Sequence, residues 1–424
     1  MGYYSPYLPY TIFAVGWVGI YFLIERYLTK PWMRRAWWSG SILLFIIVGW
    51  NAAQDQTWSD FSKGYYYGGR KILRDPGNLY DESCYGFVNL PLVAYLFVPL
   101  ALLPKPQAGL IFFIIEYISL LPLAYWLVRL PNLTGWKRWL MLVLLLFSGP
   151  LDYSVRLGNI THIVLLGLLL ALWWYREGRE WLAGIFLGVN GLIKIPLILP
   201  AGYFAILSKW RVVAGGILIA WLTLVASILL IPSSLNQTWL ERCILASTNK
   251  SIAAFNNQST NGFLARELFQ DSNVYRWNPI DRTPTFNTAS NILLALFYGP
   301  IIILLFLDRK IPVAKSDQLM KFATLLVCSL LTSPISWTHY YTWFLLPVAL
   351  YLGGTMKAWW ITVLIGLGMI LISIPIDLGL ALFERTGARL FLSANFIGGC
   401  LFYLSLLNLW ALERLQYNYV AQLR

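Results

Sequence analysis

Apolar runs about the length of a membrane span recur down the whole chain, and this constrains the fold more than any motif. They occupy residues 9–27, 37–53, 88–104, 107–128, 139–152, 160–176, 181–207, 212–231, 289–307, 322–337, 340–355, 358–380 and 390–412. A helix of about 20 apolar residues crosses a hydrocarbon core of about 30 Å. In lipid every backbone N–H and C=O has to be satisfied within the protein, which selects helices over open sheets. The expected fold is therefore an all-α polytopic membrane protein, with residues 1–424 forming a single integral membrane domain.

Charge supports this and excludes a nucleic-acid partner. Only 12% of the 424 residues are charged and 58% are hydrophobic, whereas a soluble domain carries roughly 25% charged residues. The net charge of +13 could suggest nucleic-acid binding, but the basic residues cluster in short segments at 26–35, 129–138, 209–211, 309–321 and 414–424. That is the positive-inside pattern, and the 21 Trp and 25 Tyr suit interfacial belts. The first apolar run lacks a basic leader and a small-residue cleavage site, so it is expected to stay as a helix.

Alternation of sides then places residues 54–87 and 232–288 on the outer face. The run 88–104 holds Pro91 and Pro99 and closes at Pro104, so within a first external segment 54–106 it is expected to dip into the membrane and return. The run 181–207 carries Asn190, Gly191, Lys194 and Pro196 in its middle and is expected to be two half-helices. Non-helical backbone at membrane depth is tolerated only where it lines a cavity or packs in protein. The expectation is about 11 crossings plus these two broken elements, 11–13 helices in all. No internal repeat is visible, which argues against a transporter built from paired halves.

The four cysteines, Cys84, Cys243, Cys328 and Cys400, show no paired spacing. Neither a metal site nor a disulfide framework is expected, although Cys84 and Cys243 fall in one compartment.

Polar groups near a bilayer need a reason, and several converge on the outer face. Asp60 could act as a general base or cap a short helix at 61–73. Lys63, Arg70 and Lys71 would share one broad face of that helix, as an anion site or a solvated surface. Tyr65, Tyr66, Tyr67 and Tyr80 offer stacking surfaces for a sugar. Lys194 has no acidic neighbour in sequence, and it either faces an anion or snorkels to the interface. Arg156, with Asn159 nearby, could grip a phosphate or pair with Asp152. His339 lies among Trp337, Tyr340 and Tyr341. Asn256, Asn257, Gln258 and Ser259, followed by Arg266, form an amide-rich loop. Glu116 and Asp377 are isolated acids with no partner evident in the sequence.

The ordered segments WSDFSKGYYYGGRKIL, NLY, NLPLVAYLFVPLALLP, RLGNITHIVLLGLLLAL, GIFLGVNGLIKIPLILP, NNQSTNGFLAREL and SPISWTHYYTWFLLP run from about residue 55 to 350. In this order the chain resembles the polyprenyl-phosphate-sugar-dependent glycosyltransferases of the GT-C superfamily, in particular glycosyltransferase family 87 with its α-mannosyltransferases. The resemblance implies a GT-C type multi-helix bundle and an inverting transfer of a sugar, mannose first, from a polyprenyl phosphate carrier to an extracytoplasmic glycan or glycolipid acceptor. By the same resemblance Asp60 is the base. Lys194 and Arg156 would stabilise the leaving phosphate, and His339 would touch phosphate or sugar. Asn159, Gln258 and Arg266 would assist donor binding, with Tyr65, Tyr66 and Arg70 on the acceptor side. A pentofuranosyl donor is equally covered by the resemblance. The family carries its acid after the first helix and this chain after the second apolar run, which makes 9–27 an added N-terminal helix.

No nucleotide motif and no acidic pair with ligand spacing are present, so neither a cofactor nor a metal is expected. A plasma (inner) membrane location with an outward-facing site follows from the family branch, and an endoplasmic-reticulum location stays open. Two rival readings also stay open: a transporter or flippase for a lipid-linked or anionic solute, and a ligase or polymerase joining preassembled glycans.

Overall fold

The computed structural model describes residues 30–33, 35–37, 39–40, 58–80, 86–269, 273–309, 314–354 and 358–422. The run 9–27 and, from residue 41 on, the run 37–53 lie outside the described residues, as does Cys84. Within them the chain is helical almost throughout. The only strands are Lys250–Ser251 and Ile280–Asp281, which pair antiparallel.

Four described helices are long and apolar enough to cross a bilayer: Lys105–Arg129, Trp210–Leu230, Pro284–Asp308 and Arg389–Tyr417. Two further spans arise if bent pairs count as one each, namely Gly135–Leu146 with Gly149–Leu157, bent by 45°, and Trp359–Ser373 with Ile376–Thr386, bent by 82°. The remaining expected segments are shorter apolar helices, Pro91–Ala101, Thr161–Arg176, Glu180–Ile193 and Ile195–Ile206, together with Lys315–Thr332 and Leu345–Gly353. The larger expected count therefore rests on these pieces and on the segments outside the described residues.

The two bends interlock. A Cβ on Gly149 would lie 2.7 Å from the Ser373 carbonyl oxygen and 2.9 Å from the Ile374 carbonyl. Glycine thus lets one bend seat against the other, and Pro375 stands at the N-cap of the second. The run 181–207 breaks at Lys194, whose backbone is extended (φ −137°, ψ 95°). Pro196, without an N–H to continue the ladder, starts the next turn.

Burial separates core from periphery. Every residue from 319 to 331 and from 338 to 352 is buried, so these two segments form the centre of the bundle. Trp210–Leu230, by contrast, buries only Val212, Gly215 and Ser227. It leaves Ile217, Leu222, Leu224 and Ile228 outward, a surface that needs lipid rather than water. One hydrophobic core runs from Trp58 to Trp410, with a small satellite of Ala253, Leu264, Ala265 and Phe286 beside it.

Basic side chains gather at one end of the bundle. Lys315 donates to the backbone carbonyl of Arg176 (3.0 Å), Arg176 to that of Leu130, and Lys209 pairs with Glu180 at 3.7 Å. Lys321, Arg414 and the Trp410 indole all converge on Asp308. The expectation of no disulfide is corrected at Cys243, which is disulfide-bonded. Cys328 and Cys400 are free.

Candidate functional site

Asp60 opens the segment Asp60–Tyr66, a wide π-helical turn that runs on into Tyr67–Arg74. Its carboxylate does not cap this helix; Ser59 holds the N-cap position, and no side chain makes a capping bond. Instead the Asn159 amide donates to Asp60 Oδ2 at 2.8 Å. Asn159 is itself oriented, because its Oδ1 accepts from the Thr161 N–H (3.1 Å) and hydroxyl (2.7 Å). Gly158, at φ 64°, makes the turn that brings Asn159 there. A Cβ at that position would meet the Phe61 Cβ at 2.8 Å. The left-handed conformation and the close approach both call for glycine.

Asp60 is half-buried. Burial pushes its carboxyl above the usual carboxylate range, against the Asn159 hydrogen bond and the nearby positive charge of Lys194. A carboxylate held less acidic than free aspartate, yet aimed by a single amide, is suited to accept a proton.

Lys194 is buried at the helix break. Its Nζ lies 3.5 Å from the Tyr340 hydroxyl and 4.7 Å from the Tyr340 ring centroid. None of the ion pairs among the described residues includes it. Tyr340 is backed by Trp343, stacked at 5.2 Å, and Trp343 donates to the Thr161 carbonyl at 3.0 Å. The cation, the aromatic pair and the Asn159–Thr161 turn are thereby tied together. His339 is also buried, and neither ring nitrogen has a hydrogen-bond partner among the described residues. It stands 4.8 Å from Tyr340 and 6.3 Å from Tyr153, centroid to centroid.

Beside this group lies a cavity of about 470 Å³. Lys194, Trp337 and Tyr340 line one part, Arg242 and Lys250 another, and Leu192, Ile193, Ile195 and Pro196 give it apolar walls. Cations set against apolar walls suit an amphiphilic anion. Asp60 is not among the lining residues; it comes within the electrostatic reach of Tyr340 and Lys194 from the neighbouring turn.

Several expected ligand contacts give way to structural ones. All of Arg266's guanidinium nitrogens are engaged, with the Ser393 hydroxyl (3.1 and 2.9 Å) and the carbonyls of Ala254 (3.0 Å) and Asn257 (2.7 Å). Burial in that nest lowers its pKa to about 10. The Gln258 amide nitrogen donates to the carbonyls of Phe255 and Leu392, and its oxygen accepts from the Phe396 N–H. Both side chains are fully buried and engaged mainly with the protein's own groups. Arg156 lies between Asp377 at 2.6 Å and Asp152 at 3.3 Å, which also supplies Asp377's partner. Tyr66 donates to the Leu103 carbonyl (2.9 Å), Tyr65 is buried against Phe97 at 4.4 Å, and Arg70 lies over Tyr66.

Lys63 and Lys71 do share a face and, with Tyr67, line a separate pocket of about 400 Å³. Asn256 bridges the Tyr153 hydroxyl and the Trp277 indole. Among the described residues both carboxylate oxygens of buried Glu116 lack a hydrogen-bond partner. Among the described residues no cluster of three or more His, Cys, Asp or Glu could hold a metal.

Sequence reasoning missed Arg242 and Lys250. Their signal was present, because cations in an outer segment run against the positive-inside pattern.

The family model for glycosyltransferase family 87 matches residues 87–334. That stretch contains Lys194 and the cavity's Arg242 and Lys250; Asp60 precedes it and His339 follows it. A polyprenol-phosphate-mannose-dependent alpha-(1-2)-phosphatidylinositol pentamannoside mannosyltransferase of Mycolicibacterium smegmatis is 28% identical over 301 residues, 68% of either chain. A protein of the same description from Mycobacterium tuberculosis is 26% identical over 303 residues, 68% of this chain and 64% of the relative.

Proposed function

The chain belongs to glycosyltransferase family 87, and on that premise we propose that it transfers a mannosyl residue from a polyprenyl phosphate to an extracytoplasmic glycan or glycolipid acceptor, with inversion. The donor class is taken from the two relatives, whose names specify polyprenol-phosphate mannose. The observation that carries the reading is Lys194: a buried cation with no ion-pair partner among the described residues, set in a cavity with apolar walls and close enough for its charge to be felt at Asp60.

The step is a single displacement. Asp60 takes the proton of an acceptor hydroxyl as its oxygen attacks the anomeric carbon. The bond from that carbon to the phosphate oxygen breaks on the opposite face, and the lipid phosphate leaves with the electron pair. Negative charge grows on the leaving oxygen, where preorganised positive charge is most effective. Lys194 supplies it at the break, and the unpartnered His339 ring can donate to phosphate or sugar. Asn159 and Ser59 hold the carboxylate in position.

The outward orientation is supported by two features. Cys243 is disulfide-bonded, a state that persists in oxidising compartments, and the basic side chains gather at one end of the bundle. A plasma-membrane location is part of the same proposal.

The helix break at Lys194 would also suit a transporter, since broken helices mark substrate paths. One assay separates the two readings: purified protein in detergent with polyprenyl-phosphate mannose and a glycolipid extract, wild type beside Asp60→Asn. Labelled product from wild type alone is the expected result. Product from both removes Asp60 as the base, and product from neither removes the mannosyl donor.

A further inference from the structure

The separate cavity of about 400 Å³ lies on the helical segment that begins at Asp60. Lys63, Tyr67 and Lys71 stand four residues apart and so form one row along it, and all three line the cavity. Glycine makes its floor possible. A Cβ on Gly64 would lie 3.1 Å from the Gly86 carbonyl oxygen, and one on Gly68 would lie 2.6 Å from the Phe87 ring. With no side chain at either position, Gly86 and Phe87 reach the helix and close the cavity from that side. The helix is held elsewhere as well. A Cβ on Gly69 would meet the Phe97 carbonyl oxygen at 2.8 Å, and Tyr66 donates to the carbonyl of Leu103 at 2.9 Å. The row of cations therefore sits on a fixed support.

A third ammonium joins the two. Lys105 stands over the Tyr67 ring, 5.9 Å from its centroid. None of the ion pairs among the described residues includes Lys63, Lys71 or Lys105. Like charges gathered without a counter-charge repel one another, so the arrangement favours an anion among them. Lys105 also sets the depth. It is the first residue of Lys105–Arg129, a helix long and apolar enough to cross the bilayer, and the end of such a span lies at the headgroup layer. Tyr67, exposed beside it, suits that layer too.

From this placement we infer that the cavity binds a lipid-borne phosphate of the acceptor, beside the sugar hydroxyl that Asp60 activates. The inference rests on the transferase reading above and narrows its acceptor to an anionic glycolipid. Lysine serves phosphate as a point charge, and the cavity offers one at each end of the row. Tyr67, at the middle of the row, lies roughly 10 Å along the axis from Asp60 at about 1.5 Å per residue. That spacing leaves room for a short glycan between the phosphate and the attacking hydroxyl.

The test is binding rather than turnover, so that it stands apart from the function reading. Full-length protein in detergent is titrated with phosphatidylglucose, with glucosyl diacylglycerol, which lacks the phosphate, and with phosphatidylglycerol, which lacks the sugar ring. Wild type should bind phosphatidylglucose at least about ten-fold more tightly than the neutral glycolipid, and more tightly than phosphatidylglycerol. Lys63→Gln and Lys71→Gln should each remove most of that margin and leave the neutral glycolipid unchanged. Arg74→Gln, at the end of the same helix and outside the cavity, should leave all three affinities as they are. A margin that survives both lysine substitutions overturns the inference. Equal affinity for phosphatidylglycerol, or an equal loss in Arg74→Gln, marks a general attraction of anionic headgroups and overturns it too. Phosphate-dependent binding without mannosyl transfer supports the cavity's role and removes only the function reading.

Discussion

Replacing Lys194 by Met separates catalysis from stability, and the structure fixes the sign of each. Met keeps the length and apolar stem of lysine and deletes only the ammonium. That ammonium is buried, has no ion-pair partner among the described residues, and meets only a 3.5 Å contact with the Tyr340 hydroxyl and the Tyr340 ring face. Holding a lysine at membrane depth costs about 2.5–3.5 kcal/mol on insertion scales, and a cation–π contact returns about 2 kcal/mol or more when desolvated. The two terms nearly cancel, so the fold loses little without the charge, and Lys194→Met should stay within about 1 kcal/mol of wild type in thermal stability. Transfer should behave oppositely. If the ammonium meets the departing phosphate, its loss resembles the removal of one oxyanion donor, about 2.7–4 kcal/mol, or a factor of about 10²–10³ in rate. The assay is kcat/KM for mannosyl transfer beside a thermal melt in the same detergent. Near-normal turnover with unchanged stability would refute the argument and leave Lys194 as a snorkelling side chain.

The other expectations follow the same division. Asp60→Asn should lower kcat by about 10²–10⁴, the usual contribution of a general base. In wild type the rate should fall as pH drops through a pKa above the ordinary aspartate value of about 3.9, because burial raises the Asp60 carboxyl and its protonated form cannot accept the acceptor's proton; a rate flat down to pH 4 would count against it. His339→Ala should raise the KM for donor with little change in melting temperature, since neither ring nitrogen is bonded within the protein; a large loss of stability would make it a packing residue. Arg266→Met should reduce folded yield, because it leaves the Ala254 and Asn257 carbonyls and the Ser393 hydroxyl without their donors, at about 1–3 kcal/mol for each buried group; full yield with lost donor affinity would return Arg266 to the site. Arg156→Met should destabilise by about 1–3 kcal/mol, discounted because the Asp377 side chain is 39% exposed; a thermal melt reads this directly.

The helical architecture was legible because lipid makes a coarse demand. Each span announces itself by length and composition, and the expected breaks at Pro91 and Lys194–Pro196 sit where proline interrupts the ladder, whereas the break at Pro375 falls inside the run 358–380, which was read as unbroken. The bends that seat Gly149 on Ser373 were not legible, because close approach depends on a partner 224 positions away in the chain (373 − 149). Nor was the ion pair of Arg156 with Asp377. Sequence supplied one local partner, Asp152, four residues earlier, and gave no reason to prefer a distant one.

The same limit explains why the candidate site was read too broadly. Residue type gives the capacity to bind a ligand, but the fold decides whether that capacity is already in use. Gln258, Arg266 and Asn159 are all good donors by chemistry. In the folded chain Gln258 turns both amide N–H groups, and Arg266 four of its five, toward the protein's own backbone and hydroxyls, and Asn159 donates to Asp60. Buried polar groups are normally satisfied, so groups left open near the cavity are informative: among the described residues the Lys194 ammonium has no ion-pair partner and neither nitrogen of His339 has a hydrogen-bond partner. Both stand against Tyr340, which with Lys194 lines the cavity, and Asp60's charge is felt at Lys194 and Tyr340. Glu116 is another such group, a buried carboxyl with neither oxygen hydrogen-bonded among the described residues, in a helix whose Phe112 and Phe113 pack against Phe61 and Trp58. Its helix thus forms the wall behind the Asp60 turn, and Glu116→Gln, which keeps shape and removes the option of charge, would show through the pH profile of transfer whether that carboxyl bears on Asp60's proton affinity.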